Sequence, residues 1–95
     1  MKLVRDNIPE IIKSKGKIPK SHIANGKEYE EALINKLKEE LNEIIEGRNL
    51  EEVADLIEVA YALGQNYGSN EEKINQIRDK KNQSNGKFTK KIILE

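Results

Sequence analysis

The feature that most constrains the fold is a long stretch in which apolar residues recur at helical spacing. Between about Glu28 and Glu46 they stand three or four positions apart, which aligns them along one face of an α-helix. This stripe consists of Leu33, Ile34, Leu37, Leu41, Ile44 and Ile45. Gly47 follows directly and is suited to end a helix. The pattern therefore predicts one long amphipathic helix.

A second helix is predicted immediately after the first, from about Leu50 to Tyr67. Asn49 is a favourable N-cap residue and Gly68 a favourable stop. Because only Arg48 and Asn49 separate the two helices, we expect the helices to be antiparallel neighbours. Apolar residues occur on more than one face of the second helix, so we expect it to be central in the fold.

Weaker helical signals flank this pair. Near the N-terminus, Asp6 or Asn7 can cap a short helix that follows an extended start. Pro9 would stand in its first turn, and Gly16 at its end. The segment 17–26 combines proline, serine and an Asn-Gly pair, so a loop is predicted there.

On the C-terminal side, a mostly solvated helix is predicted from about Asn70 to Gln83. Only Ile74 and Ile77 are clear core residues in it. The tail 88–94 is predicted to be extended. Residues 1–95 together are therefore expected to form a single all-α domain, a small antiparallel bundle of three to four helices.

The composition indicates that this bundle has a modest core. Hydrophobic residues make up 36% of the 95 residues and charged residues another 36%, which is a low apolar share and a high charged share for a globular domain. A chain this short also buries a smaller fraction of its surface than a larger domain does. We therefore expect a homo-oligomer to complete the fold.

Composition also excludes several classes of function. The net charge is zero, whereas dedicated nucleic-acid binders usually show a basic excess, so no nucleic-acid polymer is expected as a partner. There is no cysteine and His22 is the one histidine, so thiolate and multi-histidine metal sites are excluded within one chain. No apolar run is long enough to span a membrane, and no signal-peptide pattern is present. We expect a cytoplasmic protein whose chemistry depends on carboxylates and cationic side chains.

Two acidic pairs on the two long helices are the candidate site. Glu40 and Glu43 are three residues apart on the first helix, and Glu52 and Asp55 have the same spacing on the second. Residues three apart project from one face of a helix. At about 100° per residue, both pairs lie on the same flank of their apolar stripes, so an antiparallel arrangement brings them towards one edge. Four carboxylates at one edge would suit Mg²⁺ or Mn²⁺.

Simpler interpretations of the same residues remain open. Acidic residues are common on solvated helix faces. Asn49 and Glu52 have the spacing of a capping box, in which the Glu52 side chain would hydrogen-bond to the start of its own helix. Glu40 can pair with Lys36, which stands four residues earlier. Spacing alone does not decide between these interpretations and a metal site.

A wider set of motifs resembles one known family. The acidic runs, Glu39-Glu40-x-x-Glu43 and Glu52-x-x-Asp55, resemble the metal-binding signature of the MazG-like all-α nucleoside triphosphate pyrophosphohydrolases. The opening Lys2-Leu3-Val4-Arg5-Asp6-Asn7-Ile8-Pro9 is similar to the start of a phosphoribosyl-ATP-pyrophosphohydrolase-like, or house-cleaning, subgroup. The closing elements of that subgroup are matched by Lys80-Lys81, Gly86, Phe88 and Ile92-Ile93-Leu94. The resemblance covers nearly the whole chain.

The resemblance implies an enzyme that hydrolyses nucleoside triphosphates to a monophosphate and pyrophosphate, with Mg²⁺ as cofactor. It also implies that the subunits assemble into dimers or tetramers. The metal ligands it implies are Glu40, Glu43, Glu52 and Asp55, of which Glu40 and Glu43 also count as catalytic. It further suggests Glu58 as an additional ligand or water-orienting base. The substrate-binding candidates are Lys36, Lys81 and Arg5. One departure is that Asn85, Gly86 and Lys87 stand where relatives have an arginine and paired glycines.

Three functions from two classes therefore remain as expectations. The first is hydrolysis of nucleoside triphosphates, including non-standard ones. The second keeps this chemistry but takes phosphoribosyl-ATP as the substrate. The third is a helical interaction module without catalysis, which the high charge and modest core also allow.

Overall fold

The computed structural model describes residues 2–95 and contains four helices. They are α1 (Ile8–Ser14), α2 (Gly26–Gly47), α3 (Leu50–Asn66) and α4 (Glu71–Asn85). No strand occurs within the described residues. The predicted all-α class and the small helical bundle are therefore confirmed.

The connection between α2 and α3 differs in detail from its prediction. Gly47 is the last residue of α2 instead of the residue that breaks it, and Arg48 takes the left-handed conformation with φ of 51°. A Cβ atom at position 47 would lie 3.1 Å from Asn49 Nδ2. Glycine at this position therefore lets the start of α3 approach the end of α2 closely.

Asparagine side chains cap the two helices that follow. Asn49 Oδ1 accepts a hydrogen bond of 3.1 Å from the backbone N–H of Glu52. Asn70 Oδ1 accepts one of 2.8 Å from the backbone N–H of Lys73. Asn49 is the predicted N-cap of α3, whereas Asn70 was predicted inside α4 and instead caps it, because its side chain satisfies a backbone donor that has no partner within the helix.

The N-terminal and C-terminal segments follow the sequence pattern in part. α1 has Pro9 in its first turn and Asn7 at its N-cap position, as predicted, but the Asn7 side chain makes no capping hydrogen bond. The C-terminal tail was predicted to be extended, but it contains a turn in which the Lys91 N–H donates to the Phe88 carbonyl at 3.3 Å. Lys91 has a φ of 59°, which is outside the extended region.

The central element of the bundle is α3, which packs against both α2 and α4. In the contact with α4, Tyr61 donates a hydrogen bond of 3.1 Å from its hydroxyl group to Asn75 Oδ1. Gly64 faces Ile74 so closely that a Cβ atom on the glycine would overlap with Ile74 Cδ1. The central position predicted for the second long helix is confirmed.

The core of the single chain is small. Among residues 2–95, Leu33 on α2 is the one apolar side chain that is fully buried, with 1% of its surface exposed. Many large apolar side chains remain exposed, including four on α2 and α3: Leu41, Ile45, Val53 and Ile57. A search of the described helices for a membrane-spanning segment found none of sufficient length and hydropathy.

Truncation of Leu33 tests this description of the core. We expect Leu33→Ala to lower the free energy of unfolding by about 2–5 kcal/mol, because it leaves a cavity at a buried site. The matched control is Leu94→Ala in the exposed tail, for which we expect a change within about 0.5 kcal/mol. Urea denaturation followed by circular dichroism measures both. Equal losses for the two variants would contradict the assignment of Leu33 to the core.

Candidate metal centre

Three carboxylates from two helices converge at one edge of the α2–α3 pair. Glu40 on α2 and both Glu52 and Asp55 on α3 each place an oxygen atom within 4.8 Å of the other two. Glu40 is 6% exposed, although it is a charged residue. Glu52 and Asp55 stand about one turn apart on α3, so both reach the same face. The antiparallel hairpin thus brings Glu40 close to two carboxylates that stand 12 or more positions later in the chain.

The donor set of this cluster fits a hard divalent cation. Mg²⁺ and Mn²⁺ prefer carboxylate oxygens, and Mg–O distances are about 2.0–2.1 Å. Two oxygens bound to one Mg²⁺ therefore lie at most about 4.2 Å apart. The three oxygens lie within 4.8 Å of one another, so side-chain rotations that bring them closer together would let the three carboxylates hold one ion.

Glu43, the fourth predicted ligand, lies outside this group of three. It is exposed on α2, one turn beyond Glu40. Its charge nevertheless acts on the cluster, because it is the strongest of the acidic neighbours that raise the pKa of Glu52. The structure therefore brings three of the four predicted ligands together, and a direct metal contact for Glu43 stays a prediction.

The surroundings of Glu52 raise the pKa of its carboxyl group above the usual value. Desolvation is the largest cause of this raised pKa. The negative charges of neighbouring carboxylates add to it, in the order Glu43, Asp55, Glu40 and Glu51. None of the ion pairs formed within residues 2–95 involves Glu52, whereas Glu40 and Asp55 each have a cationic partner. Glu52 is therefore the member of the cluster whose negative charge is least compensated.

The conformation of Glu52 bears on the capping-box alternative. Its backbone N–H does bond to Asn49, as that motif requires. Its carboxylate, however, lies with those of Glu40 and Asp55. Glu52 thus contributes its backbone to the helix cap and its side chain to the acidic cluster.

Lys36 is the cationic partner of Glu40. The Lys36 ammonium group lies 3.2 Å from Glu40 Oε1 and 3.5 Å from Glu39 Oε2. The lysine side chain is only 18% exposed, and this partial burial strengthens the pairing relative to an exposed one. The Lys36–Glu40 pair anticipated from the i,i+4 spacing is therefore present, at the edge of the candidate metal centre.

The non-helical segment 2–7, which we call the N-terminal arm, reaches the same edge. Arg5 Nη2 donates a 2.7 Å hydrogen bond to Asp55 Oδ1 on α3. Lys2 donates one of 3.2 Å to Glu39 Oε1 on α2, and this contact is the main cause of the lowered pKa of Glu39. The arm is thus held by one ion pair to each long helix.

The other two predicted site residues lie apart from the cluster. Glu58 is exposed on α3, about 60° further around the helix than Asp55. Lys81 is exposed on α4, which packs against α3. Neither belongs to the group of three carboxylates, so their predicted roles in orienting water and binding phosphate stay predictions.

Sequence reasoning did not predict the partner of Arg5 or that of Lys2. These contacts join residues 50 and 37 positions apart, and neither a motif nor a helical spacing links them. The basic residues of the opening and the acidic residues of α2 and α3 are complementary in charge, but many other pairings would have satisfied that complementarity equally well.

Comparisons with protein-family models, with curated proteins and with solved structures found no match for this chain. The resemblance to the MazG-like pyrophosphohydrolases therefore stays an expectation that depends on the motifs quoted above. The geometry of the acidic cluster is an observation independent of that resemblance.

Neutralising Glu52 tests the repulsion within the cluster. A carboxyl group whose pKa is higher in the folded than in the unfolded protein destabilises the folded state once it is ionised. We therefore expect Glu52→Gln to raise the thermal midpoint at pH 7 in metal-free buffer. The gain should shrink below about pH 4, where the wild-type carboxyl is protonated in both states.

The matched control is Glu72→Gln, because Glu72 also lies in the first turn of a helix and shares the favourable interaction with the helix dipole. This control should show no gain at pH 7. A lower midpoint for Glu52→Gln than for Glu72→Gln would contradict the repulsion.

Proposed function

We propose that this protein is a Mg²⁺-dependent nucleotide pyrophosphohydrolase that converts nucleoside triphosphates to monophosphates and pyrophosphate. The observation that carries the proposal is the convergence of Glu40, Glu52 and Asp55 from two helices. These residues belong to the two acidic runs of the MazG-like signature, and the similarity of both chain ends to one subgroup supports the same assignment. Non-standard nucleotides are the proposed class of substrate, and the cytoplasm is the proposed location.

In this proposal the three clustered carboxylates hold the cation, and Glu43, one turn beyond Glu40 on α2, is a fourth proposed ligand. A bound Mg²⁺ would neutralise phosphate charge and lower the pKa of a coordinated water. A carboxylate outside direct coordination can accept a proton from the attacking water. Glu58 is the proposed residue for this role, because it is exposed and lies one turn beyond Asp55 on α3.

Cationic side chains would bind the polyphosphate. Lys36 lies beside the cluster with its ammonium group already close to Glu40, so a phosphate bound to the same cation would meet a positive charge there. Charge that develops on the pyrophosphate leaving group would be stabilised by such a lysine. Lys81 is a further proposed phosphate contact, and it requires the substrate to extend towards α4.

The activity is tested by incubating the protein with Mg²⁺ and a panel of nucleoside triphosphates, with pyrophosphate and orthophosphate measured separately. We expect pyrophosphate together with the matching monophosphate. Phosphoribosyl-ATP belongs in the panel, because preferential turnover of that compound would assign the second enzymatic alternative instead.

Asp55→Asn tests the site within the same assay. Removing one carboxylate charge should lower the rate at least about 100-fold. Mutation of residues that only hydrogen-bond to a metal ligand already lowers metal affinity or activity by about 10–100-fold. The matched control, Asp79→Asn on the exposed surface of α4, should react at close to the wild-type rate. Equal rates for the two variants would overturn the site. No turnover of any substrate by the wild-type protein would favour the non-catalytic interaction module.

We further propose that a second copy of the chain covers the exposed apolar residues on the other side of the α2–α3 pair. Ile45 on α2 and Val53 on α3 line one surface groove. Leu41 and Ile57 stand one turn further from the connection on the same helix faces, and these four exposed residues form the apolar flank. On both helices the apolar flank stands on the opposite side of the interface from the acidic cluster. A homodimer or tetramer formed there would enlarge the core and leave the acidic cluster accessible.

A charge introduced on the apolar flank tests this assembly. We expect Ile45→Asp to convert the oligomer to a monomer, because a carboxylate without a partner is costly to bury in an apolar contact. The control is Ile18→Asp in the loop before α2, where the side chain is almost fully exposed. Size-exclusion chromatography with light scattering measures the mass of each. A wild-type protein that is already monomeric would overturn the proposal.

A further inference from the structure

The contact between Arg5 and Asp55 occupies a carboxylate that the proposed function assigns to the cation. Arg5 Nη2 lies 2.7 Å from Asp55 Oδ1, which is the distance of a charge-assisted hydrogen bond. One oxygen of the Asp55 carboxylate also lies within 4.8 Å of an oxygen of Glu40 and of Glu52. A guanidinium group and a divalent cation at one carboxylate repel each other, because both carry positive charge.

The charges around the cluster show what Arg5 contributes to the metal-free protein. Glu40, Glu43, Glu52 and Asp55 bring four negative charges, of which Lys36 and Arg5 pair with two. Lys36 is largely covered and is carried by α2 itself. Arg5, by contrast, is 58% exposed and belongs to the non-helical arm. Of the two cations, Arg5 is therefore the one that can leave with the smaller change in structure.

We propose that Arg5 is an exchangeable counter-ion of the cluster: it pairs with Asp55 in the metal-free protein, is displaced by the divalent cation, and then binds a phosphate of the substrate. This inference rests on the proposed function, since it requires a cation at the acidic cluster. The guanidinium group suits the second partner because its planar set of donors matches the oxygens of a phosphate. The arm remains attached to α2 through Lys2 and Glu39, which keeps Arg5 near the site after displacement.

The proposed exchange predicts that one variant, Arg5→Gln, binds Mn²⁺ more tightly and pyrophosphate more weakly than the wild-type protein. In Arg5→Gln, the competitor at Asp55 is removed, so Mn²⁺ should bind about 2- to 5-fold more tightly, as expected for loss of an exposed ion pair. The same variant lacks the phosphate contact, so inorganic pyrophosphate at saturating Mg²⁺ should bind about 10-fold more weakly. A general loss of structure would weaken both, which circular dichroism would also reveal. Isothermal titration calorimetry measures the two affinities.

The matched control is Lys2→Gln, which removes the same charge from the same arm but from a residue that pairs with Glu39. It should leave the Mn²⁺ affinity close to the wild-type value, because Lys2 does not contact Asp55. Pyrophosphate binding should weaken less than in Arg5→Gln, because Lys2 only holds the arm that carries Arg5. Arg5→Lys keeps the charge without the planar fork and should give smaller shifts than Arg5→Gln in both titrations.

The outcomes separate this inference from the proposed function. Tighter Mn²⁺ binding with weaker pyrophosphate binding in Arg5→Gln alone supports the exchange. Mn²⁺ binding that is equal in the wild-type protein and Arg5→Gln, or shifted equally in Lys2→Gln, overturns the exchange and leaves the metal site intact. Absence of Mn²⁺ binding in the wild-type protein and all variants overturns the proposed metal site, and the exchange with it.

Discussion

The two-residue connection between α2 and α3 is the constraint on which the rest of the structure depends. With Arg48 in the left-handed conformation and Gly47 allowing close approach, α3 must run back along α2. On each helix, one flank of the apolar stripe is acidic and the other flank carries exposed apolar residues. The antiparallel pairing brings the two acidic flanks to one side of the interface and the two apolar flanks to the other.

Carboxylates brought together in this way repel one another, and cationic side chains from two parts of the chain offset the repulsion. Lys36 is local, one turn before Glu40, and partly buried. Arg5 comes from the distant N-terminal arm and is more exposed. Glu52 has no such partner among the described ion pairs, which agrees with its raised pKa. A divalent cation would relieve the repulsion that the two side chains leave uncompensated.

The single chain has a small core and leaves its apolar flank exposed. A chain in which Leu33 is the one fully buried apolar residue within the described part has little hydrophobic stabilisation of its own. α4 covers the C-terminal half of α3 through Tyr61 and Gly64, but Val53 and Ile57, nearer the start of α3, stay exposed. In the proposed assembly, contact between two chains at this flank would complete the burial that α4 begins and would leave the acidic cluster uncovered.

The sequence by itself determined the helices, because their periodicity, asparagine caps and short connections are local properties. It also determined that Glu52 and Asp55 share a face of one helix and that Glu40 lies near Lys36. Tertiary structure alone decided that Glu40 joins Glu52 and Asp55 while Glu43 stays outside, since this depends on how α2 and α3 sit against each other. It also decided the partners of Arg5 and Lys2, because ion pairs between distant segments follow from where the folded chain places them, and no local spacing encodes that.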